Sequence, residues 1–279
     1  GRRVGTRPSC PARSAGSSRT GIRRLVVISR APAGRVRGVA RGAFPARRAL
    51  NVRRARQDDP VRFGTWNLAG RWSPAHRALL EDAGCDVWPL TEVPARFDLP
   101  HGRLLRSEAM PNTGGRSWAG VWSAGTLAGL EARYPAAAAA VVGGVVVCSC
   151  VLPWRGAGAT RPDAGTNTAG RTTAALERLR PGVMPGAREV VWGGDWNHAM
   201  SGPEMGGSKE GRRAIQALAR DAGLRVATAT QRHAIPELLS IDHIAVPEAW
   251  TTACRRIVAE HRGKRLSDHD AYVIHARRG

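Results

Sequence analysis

Lysine is almost missing from this chain of 279 residues: of its 43 basic residues 41 are Arg and 2 are Lys. Ala, Gly and Pro are abundant beside it, the pattern a GC-rich coding sequence imposes. The formal charge of +21 therefore has a genomic origin to set against an electrostatic role. No Cys-x-x-Cys spacing occurs among Cys10, Cys85, Cys148, Cys150 and Cys254. An odd count at irregular spacing argues against a disulfide framework. Cys148 and Cys150 would lie side by side on one face of a strand, a poor pair for bridging. No apolar run approaches the ~20 residues of a membrane span, and the best one near the start, residues 25–28, is too short for the core of a signal peptide. A soluble protein of a reducing, cytoplasmic compartment is expected. No Met precedes Met110, which reads as a trimmed, incomplete or misassigned start, and no internal repeat of fixed period is present.

What is present divides unevenly. Residues 1–60 hold 16 Arg against Asp58 and Asp59, a net of +14, whereas residues 61–279 hold 27 basic and 20 acidic residues, a net of +7. A large positive charge invites a nucleic-acid partner, yet two-thirds of the excess lies in residues 1–60, which show no sustained period of 2 or 3.6. Such a segment cannot bury enough apolar surface to offset its ordering entropy. It is expected to be disordered, either a basic arm or translated upstream sequence. A chain that is 42% hydrophobic with nine Trp can still build a sizeable core, and the folded domain is expected over 61–279.

Within that domain the pattern predicts strands at 61–66, 86–91, 103–106, 118–122 and 145–152, the last stopped by Pro153. Further strands are expected at 189–192, 224–230, 240–246, 255–260 and 272–275. A helix should start at Ser73 as N-cap with Pro74 at its first position, and stop at Gly84. Two more are expected at 172–179, ended by Pro181-Gly182, and at 209–222, with Ile215, Leu218 and Ala219 on one stripe. Many strands among few helices suggest a sheet-rich α/β or α+β sandwich rather than a regular βαβ winding.

Polar residues recur where these strands end: Thr65-Trp66-Asn67, Leu90-Thr91-Glu92, Gly193-Gly194-Asp195-Trp196-Asn197, Ser240-Ile241-Asp242-His243 and Ser267-Asp268-His269. Carboxylates are costly to bury without a partner. Several converging at strand ends want a cation, and an oxygen-rich set suits Mg²⁺ or Mn²⁺ rather than Zn²⁺. In extended backbone Asp195 and Asn197 would point to one side, and Asp242 away from His243. Asp268 and His269, being adjacent, can share a site only on a loop. Gly193 and Gly194 would let backbone and substrate approach closely.

The five segments, in this order and spacing, resemble the signature blocks of the endonuclease/exonuclease/phosphatase superfamily over about residues 61–274. The resemblance implies a four-layered α/β sandwich, two packed and mostly antiparallel sheets flanked by helices. It implies that Glu92 ligates a Mg²⁺ or Mn²⁺ ion with Asn67 and Asp268 near, and that Asp195 orients or deprotonates the attacking water. It implies that Asn197 steadies the phosphoryl group and that Asp242 orients the essential His269. The function so implied is metal-dependent hydrolysis of phosphoesters, most simply as a nuclease-like phosphodiesterase of DNA or RNA; separately, the chain is expected to be a monomer. A phosphatase of small phosphoesters or phospholipid headgroups is also compatible.

Two departures stand out. Many relatives carry a His or Tyr on the central strand before a Pro, where this chain has Cys150 or Val151; a thiol donates weakly. A catalytically weak metal- or nucleic-acid-binding module is therefore the alternative. Abasic-site endonucleases carry a Lys two residues after the Glu, where this chain reads Val93-Pro94-Ala95-Arg96; Arg96 is the candidate substitute. Arg155 and Trp154 are candidate substrate contacts, Trp154 by stacking on a rim. Trp66, Trp192 and Trp196 are expected to fill the core, and His198 to sit beside the site or exposed. His243 is expected to be structural, and His76, His101, His233, His261 and His275 are assigned no role.

Overall fold

In the computed structural model, which describes residues 60–156, 167–183, 186 and 188–279, β1 (Val61–Asn67) sorts its side chains by period 2. Phe63 joins the core between the sheets, and Trp66 packs on the opposite face with Trp88, Leu90 and Leu80. α1 (Pro74–Ala83) follows, entered through Ser73 in extended backbone and closed by Gly84 at φ +60, whose N–H donates to Glu81 O. The Ser73 hydroxyl does not cap the helix; it lies 2.8 Å from His76 Nδ1. The chain continues through β2 (Val87–Val93), β3 (Arg103–Arg106), β4 (Ser117–Ser123), β5 (Leu127–Leu130), β6 (Ala137–Val142) and β7 (Val145–Val151). α2 (Thr168–Val183), β8 (Val190–Asp195), α3 (Lys209–Asp221) and β9 (Leu224–Val226) come next. The remaining elements are β10 (Asp242–Pro247), β11 (Thr251–Ile257), the short ladder β12 (Glu260–His261) with β13 (Lys264–Arg265), and β14 (Ala271–Arg277).

Two six-stranded sheets result, ordered β11-β14-β1-β2-β4-β3 and β5-β6-β7-β8-β10-β9. Among the described residues only β1–β2 and β7–β8 are parallel pairs. Phe63, Val121, Val147, Val191, Ile244 and Ile274 fill the space between the sheets. α1 covers the outer face of the first sheet through Leu80 and Ala83. α2 and α3 cover the second, setting Leu176, Leu179, Ile215 and Leu218 against Cys148, Trp192 and Trp196. The expected four-layered sandwich is present.

The differences from expectation have physical reasons. β5 and β6 lie in a passage whose Ala run carries little strand propensity. All of Ala137 to Ala140 are buried, so no polar alternation marks their period. α2 runs past the expected stop and includes Pro181 in its last turn, with Val183 buried beyond it. β9 is shorter than expected because residues 227–230 turn to meet β10. The expectation for residues 1–60 falls, but for Pro60, outside the described residues.

Candidate active site

At one end of the sandwich the inward-facing positions change from apolar to polar. β1 ends on Asn67, β8 on Asp195, and β10 begins with Asp242, directly opposite Asp195 in the antiparallel register. All three are buried. Gly194, at φ +123, lets β8 pair closely with β7: a Cβ there would stand 2.1 Å from Cys150 O. The close approach is made by the backbone of β7 and, at Gly193, by the Pro89 ring, rather than by substrate.

The strand ends at Asp195, and the expected extended course to Asn197 gives way to a turn. Asn197 is left-handed (φ +54), and its N–H donates to Asp195 Oδ1 at 2.9 Å. Its Nδ2 donates to Leu152 O at 3.0 Å. This local side-chain bond competes with the strand ladder and wins. Asn67 Nδ2 donates to Asp195 Oδ2 at 3.0 Å and to Glu92 Oε1 at 3.3 Å, while its Oδ1 accepts from Ala69 N.

His269 comes from the loop before β14, as the adjacency of Asp268 and His269 required, and that loop is tied down on both sides of the exposed Asp268. The Ser267 hydroxyl donates to Asn67 O at 2.7 Å and accepts from His269 N. Trp66 Nε1 donates to His269 O. Asp270, fully buried, accepts from Ala259 N and pairs with Arg256 and Arg265. So held, His269 Nδ1 reaches Asp242 Oδ2 at 2.6 Å. Ser240 fixes Asp242 in turn, accepting from its N–H and donating to its carbonyl.

Burial lowers the His269 pKa, but the charge and hydrogen bond of Asp242, then Asp195 and Asp268, overcome it and hold the imidazole at about 10. Burial pushes Asp195 up and Asp242 reinforces this; His269, Asn67 and the Asn197 N–H pull back, leaving it at about 6. Asp242 is also pushed up by burial and drawn down by His269. The two partners thus pull in opposite senses, and the proton of the pair belongs on the imidazole, the stronger base. His233 packs edge-on against His269 with ring centroids 5.9 Å apart. Burial and then the His269 charge lower His233 to about 4. Its Nδ1 accepts from Ile235 N, which leaves the proton on Nε2.

Glu92, the last residue but one of β2, is left-handed (φ +47), with Gly70 N–H on its carbonyl and its Oε2 2.8 Å from Arg116 Nη1. The donor atoms of Asp195, Asp242 and His269 lie within 4.8 Å of one another, a group that could hold a metal ion; Glu92 and Asp268 lie outside it. Among the described residues Asp242 Oδ1 is buried with no hydrogen-bond partner. Two buried carboxylates against one imidazolium leave an excess negative charge beside Glu92. Carboxylate oxygens fit a hard divalent cation, whereas an imidazolium has no lone pair to offer one, so the carboxylates rather than His269 would hold it.

Other expected residues lie elsewhere. Cys150 faces the helix layer, where its thiol accepts from Trp192 Nε1 and burial raises it well above the ordinary thiol range. Arg96 is exposed, and the guanidinium on Glu92 is that of Arg116. Arg155 donates to Gly207 O, and Trp154 is half-buried beside Gly156 and Gly206. His198, fully buried, is not exposed; His243 bonds to Thr228 and His198 O on the face away from Asp242. Trp66, Trp192 and Trp196 are core residues. Sequence reasoning missed Arg116, His233 and Asp270. Only Asp270 carried a signal, a fourth polar residue closing Ser267-Asp268-His269.

No family model and no curated protein matches this sequence. Solved structures do match in shape. An endonuclease/exonuclease/phosphatase protein from Beutenbergia cavernae is similar with a TM-score of 0.57 at 18% identity, over 79% of this chain and 72% of its own. The endonuclease domain of TRAS1, a telomere-specific non-LTR retrotransposon, is similar with a TM-score of 0.52 at 16% identity, over 78% and 98%. D. rerio TDP2, in complex with a single-strand DNA product, gives 0.50 at 13% identity, over 79% and 100%. The two six-stranded sheets, the helices on their outer faces and these likenesses together give this chain the fold of the endonuclease/exonuclease/phosphatase superfamily.

Proposed function

We propose that this chain is a divalent-metal-dependent hydrolase of phosphoester bonds, acting as a nuclease-like phosphodiesterase. The observation that carries the reading is the buried Asp242–His269 pair set beside Asp195, with Asn67 bridging Asp195 to Glu92. Phosphoryl transfer needs positioning and charge stabilisation more than covalent chemistry, and this line of groups offers both.

Asp195 aligns a water and accepts its proton as the water oxygen attacks phosphorus; a carboxylate raised to about 6 is well matched to that task near neutrality. His269, kept charged by Asp242, stabilises the phosphoryl oxygens. Asn67 holds Asp195 and Glu92 at fixed separation. Glu92, with Asp268 near, would hold Mg²⁺ or Mn²⁺, which when bound supplies polarisation of the phosphoryl oxygens and offsets charge on the leaving oxygen. The nucleic-acid substrate class rests on the basic charge and on the likeness to an endonuclease domain and to a protein solved with DNA.

One observation favours a second reading. Cys150 points into the helix layer, so the central strand offers no acid for the leaving group, and a weakly active binding module of the same fold would share this geometry. A panel of single- and double-stranded DNA, RNA and small phosphoesters, each with Mg²⁺, Mn²⁺ or EDTA, separates the two. Turnover that EDTA abolishes supports the enzyme; binding with no turnover above buffer supports the module.

A further inference from the structure

The chain lacks a basic residue two places beyond Glu92, yet Glu92 does not stand alone. Arg116, immediately before β4, places Nη1 2.8 Å from Glu92 Oε2, with the two side chains 29% and 24% exposed. The contact has a built seat. Gly70, at φ +66, lies under the guanidinium: a Cβ there would be 2.0 Å from Arg116 Nε and 2.1 Å from Cζ. The same glycine's N–H holds Glu92 O at 2.9 Å, and Glu92 itself sits at φ +47. The left-handed backbone of Glu92 turns its carboxylate toward the guanidinium, and Gly70 leaves the guanidinium room. Backbone strain of this kind persists only where the surroundings over-determine it.

We propose that Arg116 is the built-in counter-cation of Glu92, and that a divalent cation binds Glu92 in competition with it. The inference rests on the reading of Glu92 as the metal carboxylate. A three-quarters-buried carboxylate needs a positive partner, and an Arg is charged at every working pH. A divalent ion and a guanidinium on one carboxylate repel each other in a site of reduced dielectric. The metal therefore gains Glu92 only as Arg116 yields it. Asn67 Nδ2, the carboxylate's other contact at 3.3 Å, is neutral and does not oppose the ion. The displaced guanidinium, a fork of N–H donors at the mouth of the site, is then free to take a phosphoryl oxygen.

Calorimetric titration of the full chain with Mn²⁺ alone tests this on binding rather than activity. Arg116→Gln and Arg116→Ala are each expected to tighten Mn²⁺ by about tenfold, within the range of coupling between neighbouring sites. Arg220→Gln, at the exposed last turn of α3, controls for net charge and should leave the affinity as it was. Unchanged or weaker Mn²⁺ binding in the Arg116 variants overturns the inference, as does equal tightening in Arg220→Gln. The underlying reading fails separately: if the parent binds no Mn²⁺, or Glu92→Gln binds as well as the parent, Glu92 is not a metal ligand and the inference falls with it.

Discussion

Replacing Asp242 with Asn removes one charge and keeps an oxygen that can accept from His269 Nδ1. Burial alone lowers the His269 pKa, and the Asp242 charge and hydrogen bond are the largest of the forces that raise it to about 10. Without them burial is opposed only by Asp195 and Asp268, and the imidazole is expected to titrate below its ordinary 6.5. The gap between 6.5 and about 10 corresponds to about 5 kcal/mol, at ~1.36 kcal/mol per pH unit. Because the folded pKa is raised, that stabilisation is full below pH 6.5 and disappears as the pH climbs through 10. The parent should lose stability over this window and Asp242→Asn should not. NMR titration of the His269 ring in EDTA, assigned with His269→Gln, reads the pKa, and urea unfolding across the same pH range reads the energy. A ring that still titrates above pH 8 in Asp242→Asn would refute the assignment of the raised pKa to this carboxylate.

Gly194→Ala should cost more than about 4 kcal/mol in urea unfolding, because its methyl would stand 2.1 Å from Cys150 O at a φ of +123; a near-normal midpoint would mean the β7–β8 register is not as described. Asp270 is opposed by burial but held below its ordinary 3.8 by Ala259 N–H, Arg265 and Arg256. Its contribution is present above pH 3.8 and lost as the pH falls through the depressed value. Asp270→Asn should therefore destabilise by about 3 kcal/mol at pH 7 and by progressively less as the pH falls through that depressed value, as paired unfolding curves would show. Deletion of residues 1–58 is expected to leave the melting temperature of the domain unchanged; a large fall would show that the segment packs on it.

The strand-end polar residues were legible because period 2 and the cost of burying carboxylates act locally. Grouping Asn67, Glu92, Asp195, Asn197, Asp242, Asp268 and His269 into one site came from the family resemblance; the structure links Asn67 to Asp195 and Glu92, Asn197 to Asp195, and Asp242 to His269. The opposition of Asp242 and His243 on β10 followed from alternation alone. What could not be read was set by tertiary approach. Arg116 reaches Glu92 from across β2 and β4, over a glycine in a separate loop, and nothing in its neighbours marks it. His233 lies 36 positions before His269 and meets it only through the turn that follows β9. The Ala strand β6 was hidden because residues buried on both faces show no period. Asn197 defied the extended reading because its own N–H prefers the Asp195 carboxylate to a partner strand.

The central claim, one hydrolytic step shared by Asp195 and His269, is tested most directly by single-turnover hydrolysis of one panel substrate with Mn²⁺. The parent, Asp195→Asn, His269→Gln and the double variant would be compared. Each single change should cost about 10² to 10⁴ in rate, the scale for removing acid–base or electrostatic help. Groups acting as a unit are non-additive, so the double variant should be little slower than the slower single one. Undiminished turnover in His269→Gln, or no metal-dependent turnover in the parent, would contradict the account.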